Sequence, residues 1–275
     1  KPGLLIRPDV KDIDAGISSG PGVFLEPNVS NPRNFTLLTN PLARRDAPWT
    51  ADQDAILNDV AFARAKATIT AWPGYAPTPL VPLGGFASAT GIGVLYYKDE
   101  ASRFGLGSFK ALGGAYAVWQ VLCRTAKEKN ISPDDRDAFA ALARTLTVTC
   151  ATDGNHGRSV AWGADTFGCK CVIFIHATVS EGRKREIERY GARVIRCAGN
   201  YDDSVHEAQA TADREGWIVV SDTSYPGYTE IPKDVMQGYE LMAAEAIGQW
   251  PETEPPSHVF LQTGVGGLAA AVASQ

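Results

Sequence analysis

From about residue 92 to Gln275, short apolar, β-branched runs alternate with stretches of helical periodicity. This alternation limits the possible folds more than any other feature of the chain. Strands are expected at 93–97, 145–151, 171–176, 192–196, 217–220 and 258–263. Helices are expected at 110–128, 155–167, 180–190, 202–215, 233–249 and from 267 onward. Such a pattern predicts an α/β protein of parallel sheets flanked by helices. Ligands in these folds bind outside the carboxyl ends of the strands, so chemistry is expected in the strand-to-helix loops. Upstream, Ile56, Val60, Phe62, Ala63 and Ile69 recur at helical spacing and predict a helix over 51–71. Pro77, Pro79 and Pro82 then enforce an extended segment. Residues 1 to about 50, rich in Pro, Gly and Asn, predict an irregular arm.

Composition removes several function classes. The net charge is -5 and no basic patch is evident, which argues against a nucleic-acid partner. No apolar run reaches the roughly 18 residues of a membrane span, and the N-terminus lacks the charged start and apolar core of a signal peptide. The five cysteines form no CxxC, which suggests reduced thiols and a cytoplasmic protein. The four histidines show no metal-ligand spacing, so no metal site is expected. The chain starts at Lys1 rather than Met and stops at Gln275 inside an expected helix, which suggests a piece of a longer protein.

Three segments carry chemistry. In Gly107-Ser108-Phe109-Lys110-Ala111-Leu112-Gly113-Gly114, a lysine follows a glycine turn and opens an apolar helix. A lysine held there would be partly desolvated, which favours use of its amine as a nucleophile or Schiff-base former. In Ala151-Thr152-Asp153-Gly154-Asn155-His156-Gly157, two glycines allow close approach of a ligand to the backbone. The helix start in this loop favours an anion. Asp153 can act as a general acid or base, or simply cap the helix. In Gln262-Thr263-Gly264-Val265-Gly266-Gly267-Leu268, consecutive N–H groups at a helix N-terminus form a phosphate cradle. Gly264, Gly266 and Ala269 also fit a dinucleotide fingerprint. That reading needs an acidic residue about 20 positions later, and the chain ends first. A lysine ready for imine chemistry and a phosphate cradle together suggest pyridoxal 5′-phosphate as cofactor.

Taken in order, Ser108-Phe109-Lys110, Asp153 to Gly157 and Gly264 to Leu268 resemble the fold type II (tryptophan synthase β-like) pyridoxal-phosphate enzymes. Within them the chain is similar to the diaminopropionate ammonia-lyases. This likeness is carried by Lys98-Asp99-Glu100, Arg103-Phe104-Gly105-Leu106, Thr152 to Arg158, Gly227-Tyr228 and Met236-Gln237-Gly238-Tyr239. It spans roughly residues 72–275.

The resemblance implies two parallel-sheet α/β domains with the cofactor between them. Residues 71–144 and 225–275 would form a large, incomplete domain and 145–224 a small one, preceded by the arm and helix of 1–70. Lys110 would carry the Schiff base, and Asn155 would hydrogen-bond the cofactor's 3-hydroxyl oxygen. Gly264, Val265, Gly266, Gly267 and Leu268 would hold its phosphate. Asp153, Gly154 and His156 would contact the substrate. Asp153 would stand opposite Lys110 to pair with a second amine, and Asp222 would serve the other substrate enantiomer. The group facing the pyridine nitrogen would lie beyond Gln275.

The expected reaction is α,β-elimination of ammonia from 2,3-diaminopropionate, giving pyruvate and ammonia, in a homodimer acting on a small amino acid. A related eliminase acting on serine, threonine or hydroxyaspartate is the nearest alternative. A non-catalytic binding scaffold is the alternative of another class.

Overall fold

The computed structural model describes residues 4–7, 41, 44 and 47–275. Most of the arm expected over 1–50 lies outside the described residues. Its described start is a strand, β1 (Leu4–Arg7), rather than irregular chain. The helix expected over 51–71 is two helices, α1 (Ala51–Asp54) and α2 (Asp59–Thr70). Asn58 separates them, because its side chain accepts the Ala61 N–H at 2.9 Å and caps α2. The proline segment leads into β2 (Leu80–Pro82), followed by α3 (Gly84–Thr90) and β3 (Val94–Lys98). A short 3₁₀ segment (Glu100–Gly105) then turns the chain into α4 (Lys110–Glu128) and α5 (Arg136–Ala143).

The next unit alternates as expected. It runs β4 (Thr147–Ala151), α6 (Asn155–Phe167), β5 (Lys170–Ile175), α7 (Glu181–Glu188), β6 (Arg193–Arg196), α8 (Tyr201–Glu215) and β7 (Ile218–Val219). Its strands pair in parallel in the order β6-β5-β4-β7. Val148, Cys150, Ile173 and Ile175 are fully buried beneath the helices. The chain then forms α9 (Glu230–Gln249), β8 (His258–Phe260) and α10 (Gly267–Ser274).

The second sheet differs from expectation in strand direction. Its order is β2-β3-β1-β8, and every pairing is antiparallel. β3 and β8 point the same way, as helical crossovers require, but β1 inserts between them in the opposite sense. α4 packs against both α6 and α9. Its small residues Ala111, Ala115 and Ala117 are fully buried.

A buried ion cluster fixes the approach to α4. Arg103 Nη2 lies 2.7 Å from Glu245 Oε2 and 2.8 Å from Glu100 Oε1. Lys98 Nζ lies 2.8 Å from the same Glu245 oxygen. Two cations thus meet two carboxylates, the balance a buried cluster needs. No helix among the described residues is long and apolar enough to cross a membrane.

Candidate active site

Lys110 is the first residue of α4, and the hydroxyl of Ser108 accepts its backbone N–H at 3.2 Å. The side chain extends towards the loop after β7, where Nζ lies 2.5 Å from Asp222 Oδ2. Both side chains are mostly covered, with 23% and 14% exposed. The rings of Phe109 and Tyr239 lie against the ammonium, their centroids 5.7 Å and 5.4 Å away. The lysine is therefore only partly desolvated, and it has a carboxylate partner. For Asp222, burial alone would raise the carboxyl, but the positive charge of His156 and Lys110 and the Lys110 hydrogen bond outweigh it. The carboxyl is held at about 2.

Lys110, Asn155, Asp222 and Tyr239 line a cavity of about 210 Å³ with the turn 262–269. A larger cavity of about 420 Å³, lined by Met242, Ile247, Trp250 and Val259, is apolar. Lys98 also lines it, but none of the expected site residues does. Asn155 begins α6, where its Oδ1 accepts from Arg158 at 3.2 Å. The turn before it depends on Gly154, whose φ of 151° disfavours any side chain. The buried hydroxyl of Thr152 clasps that turn, accepting the N–H groups of Gly154 and Gly157 at 3.0 Å each.

Two expected substrate contacts turn elsewhere. Asp153 is 67% exposed, and its carboxylate lies 2.9 Å from His176 Nε2 instead of lining the cavity. His156 is buried and faces inward, towards Asp222 and the Val220 carbonyl. Tyr239, Thr152 and Ser159 join the site without being expected there. A buried tyrosine, threonine or serine on a packed helix or strand end gives no local signal that separates it from ordinary core.

The residues present fit a phosphate-bearing aldehyde. Gly266 takes φ 87° and leads into α10. The first N–H groups of that helix, at Gly267, Leu268 and Ala269, have no intrahelical acceptor and border the cavity. Both amide atoms of Gln262 are buried at the same wall without a hydrogen-bond partner. A lysine amine stands in the same cavity. Among the described residues no group of three or more metal-ligating side chains occurs.

Residues 71–275 match the family model described as pyridoxal-phosphate dependent enzyme. Diaminopropionate ammonia-lyase of Escherichia coli K12 is 42% identical over 200 residues, which is 72% of this chain and 50% of that protein. The Salmonella typhimurium protein of the same name is 40% identical over 210 residues, covering 73% and 51%. The chain thus spans about half the length of the curated relatives it matches. The crystal structure of the Escherichia coli protein in apo form superposes with a TM-score of 0.73 at 37% identity, covering 80% of this chain and 60% of that one. The chain belongs to the pyridoxal-phosphate dependent enzyme family.

Proposed function

We propose that this chain forms the catalytic part of an ammonia-lyase that eliminates ammonia from 2,3-diaminopropionate, giving pyruvate and ammonia. The carrying observation is the Lys110–Asp222 pair, 2.5 Å apart in one cavity with the glycine turn 264–267. The cofactor supplies an aldehyde that condenses with amines and a pyridine ring that draws electrons from the adjoining carbon. Lys110 would hold the cofactor's aldehyde end through Nζ. Asn155 would hold the ring hydroxyl, and the N–H groups of Gly264 to Leu268 would hold the phosphate. Asp222 takes the Cα proton of one substrate enantiomer and Lys110 that of the other. A neighbouring acid protonates the departing β-amine. Asp153 joins this chemistry only by leaving His176.

The domain assignment proposed with this function is 71–144 and 225–275 for the large domain and 145–224 for the small one. Residues 1–70 precede them. A homodimer acting on a small amino acid is proposed with it, and so is a cytoplasmic location, which the five free cysteines support.

Replacing Lys110 with Ala in the full-length protein tests the cofactor assignment. The absorbance band of the bound cofactor is expected to disappear, and an unchanged spectrum rejects the assignment. Elimination from serine is a second reading. It is favoured by the engagement of Asp153 with His176, since Asp153 was the carboxylate meant for a second ammonium. Ammonia release measured side by side from 2,3-diaminopropionate and serine separates the two.

A further inference from the structure

The proposed reaction removes the closest partner of Asp222, because Lys110 must turn from this carboxylate to the cofactor. His156 then stands beside it. The Nε2 of this ring lies 2.8 Å from the Val220 carbonyl oxygen. A carbonyl only accepts, so Nε2 carries a proton. Val220 lies two residues before Asp222, so the ring is anchored to the same short segment as the carboxylate. Nδ1 is buried, has no hydrogen-bond partner and lies 3.7 Å from Asp222 Oδ2. Facing a carboxylate oxygen, Nδ1 can engage only as a donor. Without a proton, it would set a lone pair against a negative charge.

The other titratable groups around Asp222 bring no positive charge. They are Cys150 on β4, Tyr201 on α8, Tyr228 in the following loop and Tyr239 on α9. Burial and the neighbouring Asp222 carboxylate push all four up, Tyr201 to about 12.

We propose that His156 is the positioning residue for Asp222. It donates from Nε2 to Val220 and, once Lys110 withdraws, from Nδ1 to the carboxylate, holding that group oriented and charged. The inference rests on the assignment of Asp222 as a proton-transfer group in the proposed function.

Ring ¹⁵N NMR of His156 in the full chain, with and without pyridoxal phosphate, reads it directly at one near-neutral pH. Both ring nitrogens are expected to be protonated in the wild type, and Nδ1 to lose its proton in Asp222→Asn. A wild-type ring bare at Nδ1 overturns the proposal. Two substitutions then separate positioning from packing. Asparagine sets an amide nitrogen near the Nδ1 position, and glutamine sets one near Nε2. His156→Asn is expected to lower kcat about threefold. His156→Gln is expected to lower it about thirtyfold with little change in KM and a shifted acid limb of the pH profile. Equal losses in both would assign the ring to packing and overturn the proposal. The NMR arm without cofactor does not depend on cofactor binding, so its failure is distinguishable from failure of the Lys110→Ala test.

Discussion

Ser159 Oγ donates a 2.6 Å hydrogen bond to the main-chain carbonyl of Lys110. This bond ties α6 to the first residue of α4. One residue earlier on α6, the Arg158 guanidinium donates to the Leu106 carbonyl, in the turn that precedes Lys110. The loop that presents Lys110 and the loop that presents Asn155 are therefore set relative to each other by polar contacts between two helices. Close packing completes the arrangement, since the two helices meet where Gly114 faces Ser159.

Gly114→Ala tests that packing. A Cβ there would lie 2.4 Å from Ser159 Oγ and 2.8 Å from Ser159 Cβ. Alanine in a helix interior gains about 0.5–1 kcal/mol over glycine, but overpacking of this kind costs about 1–3 kcal/mol. The clash is expected to win. A lower thermal midpoint and weaker cofactor retention are the expected results, and a stabilised variant would show that α4 and α6 separate freely. Ser159→Ala, which loses only the hydrogen bond, is expected to cost about 1 kcal/mol.

The helices that carry Lys110 and Asn155 were legible to the residue: 110–128 and 155–167 match α4 and α6. Glycine turns punctuate both, and their apolar faces keep helical period to the end. Four segments carry no such signal: β1, α3, the 3₁₀ segment and α5. Each is short, and α5 is announced only by the Asp135 cap, which accepts the Ala138 N–H at 3.1 Å. β1 could not be found locally, because its partners Tyr97 and Phe260 are distant in sequence. At the site, residue type and order brought Lys110, Asn155 and the 264–268 turn to one cavity. They did not tell which aspartate would face the lysine. Asp153 has the suitable chemistry in the suitable loop, but His176, 23 positions away, bonds it first.

The five cysteines give a chemical test of the core. Burial pushes the Cys123 and Cys169 thiols up to about 11 and, together with the neighbouring Glu207 carboxylate, the Cys197 thiol up to about 12. Cys150 and Cys171 are raised further, chiefly by burial. Thiolate is the reactive form, so a disulfide reagent at pH 8 is expected to modify the native protein slowly and all five thiols once urea unfolds it. Rapid native labelling of Cys150 or Cys171, read by mass spectrometry, would contradict this packing.

The cluster around Glu245 supplies a stability test. The side chains of Lys98, Arg103 and Glu245 are 3%, 1% and 5% exposed. Glu245→Ala leaves two buried cations with Glu100 alone, at an expected cost of about 3–5 kcal/mol. That is a large part of the roughly 5–15 kcal/mol that holds a domain folded. Glu188→Gln breaks the much more exposed Lys184–Glu188 pair and is expected to cost about 0.5 kcal/mol or less. Urea unfolding of both variants makes the comparison. Similar costs would mean that water reaches the Glu245 cluster.

Asp222 gives the pH dependence. Its folded carboxyl is lowered to about 2 from an ordinary 3.8. A lowered carboxyl stabilises the fold above the ordinary value, and that contribution is lost as pH falls from about 4 towards about 2. The size follows from the shift at about 1.4 kcal/mol per unit, or about 2 kcal/mol. Asp222→Asn removes this dependence, whereas the similarly lowered Glu245 remains in both proteins and cancels. The stability difference between wild type and Asp222→Asn, from urea titrations at steps between pH 4.5 and 2.5, is therefore expected to shrink as the pH falls. A difference that stays constant down to pH 2.5 would mean that Lys110 and His156 do not hold the carboxylate in the folded protein.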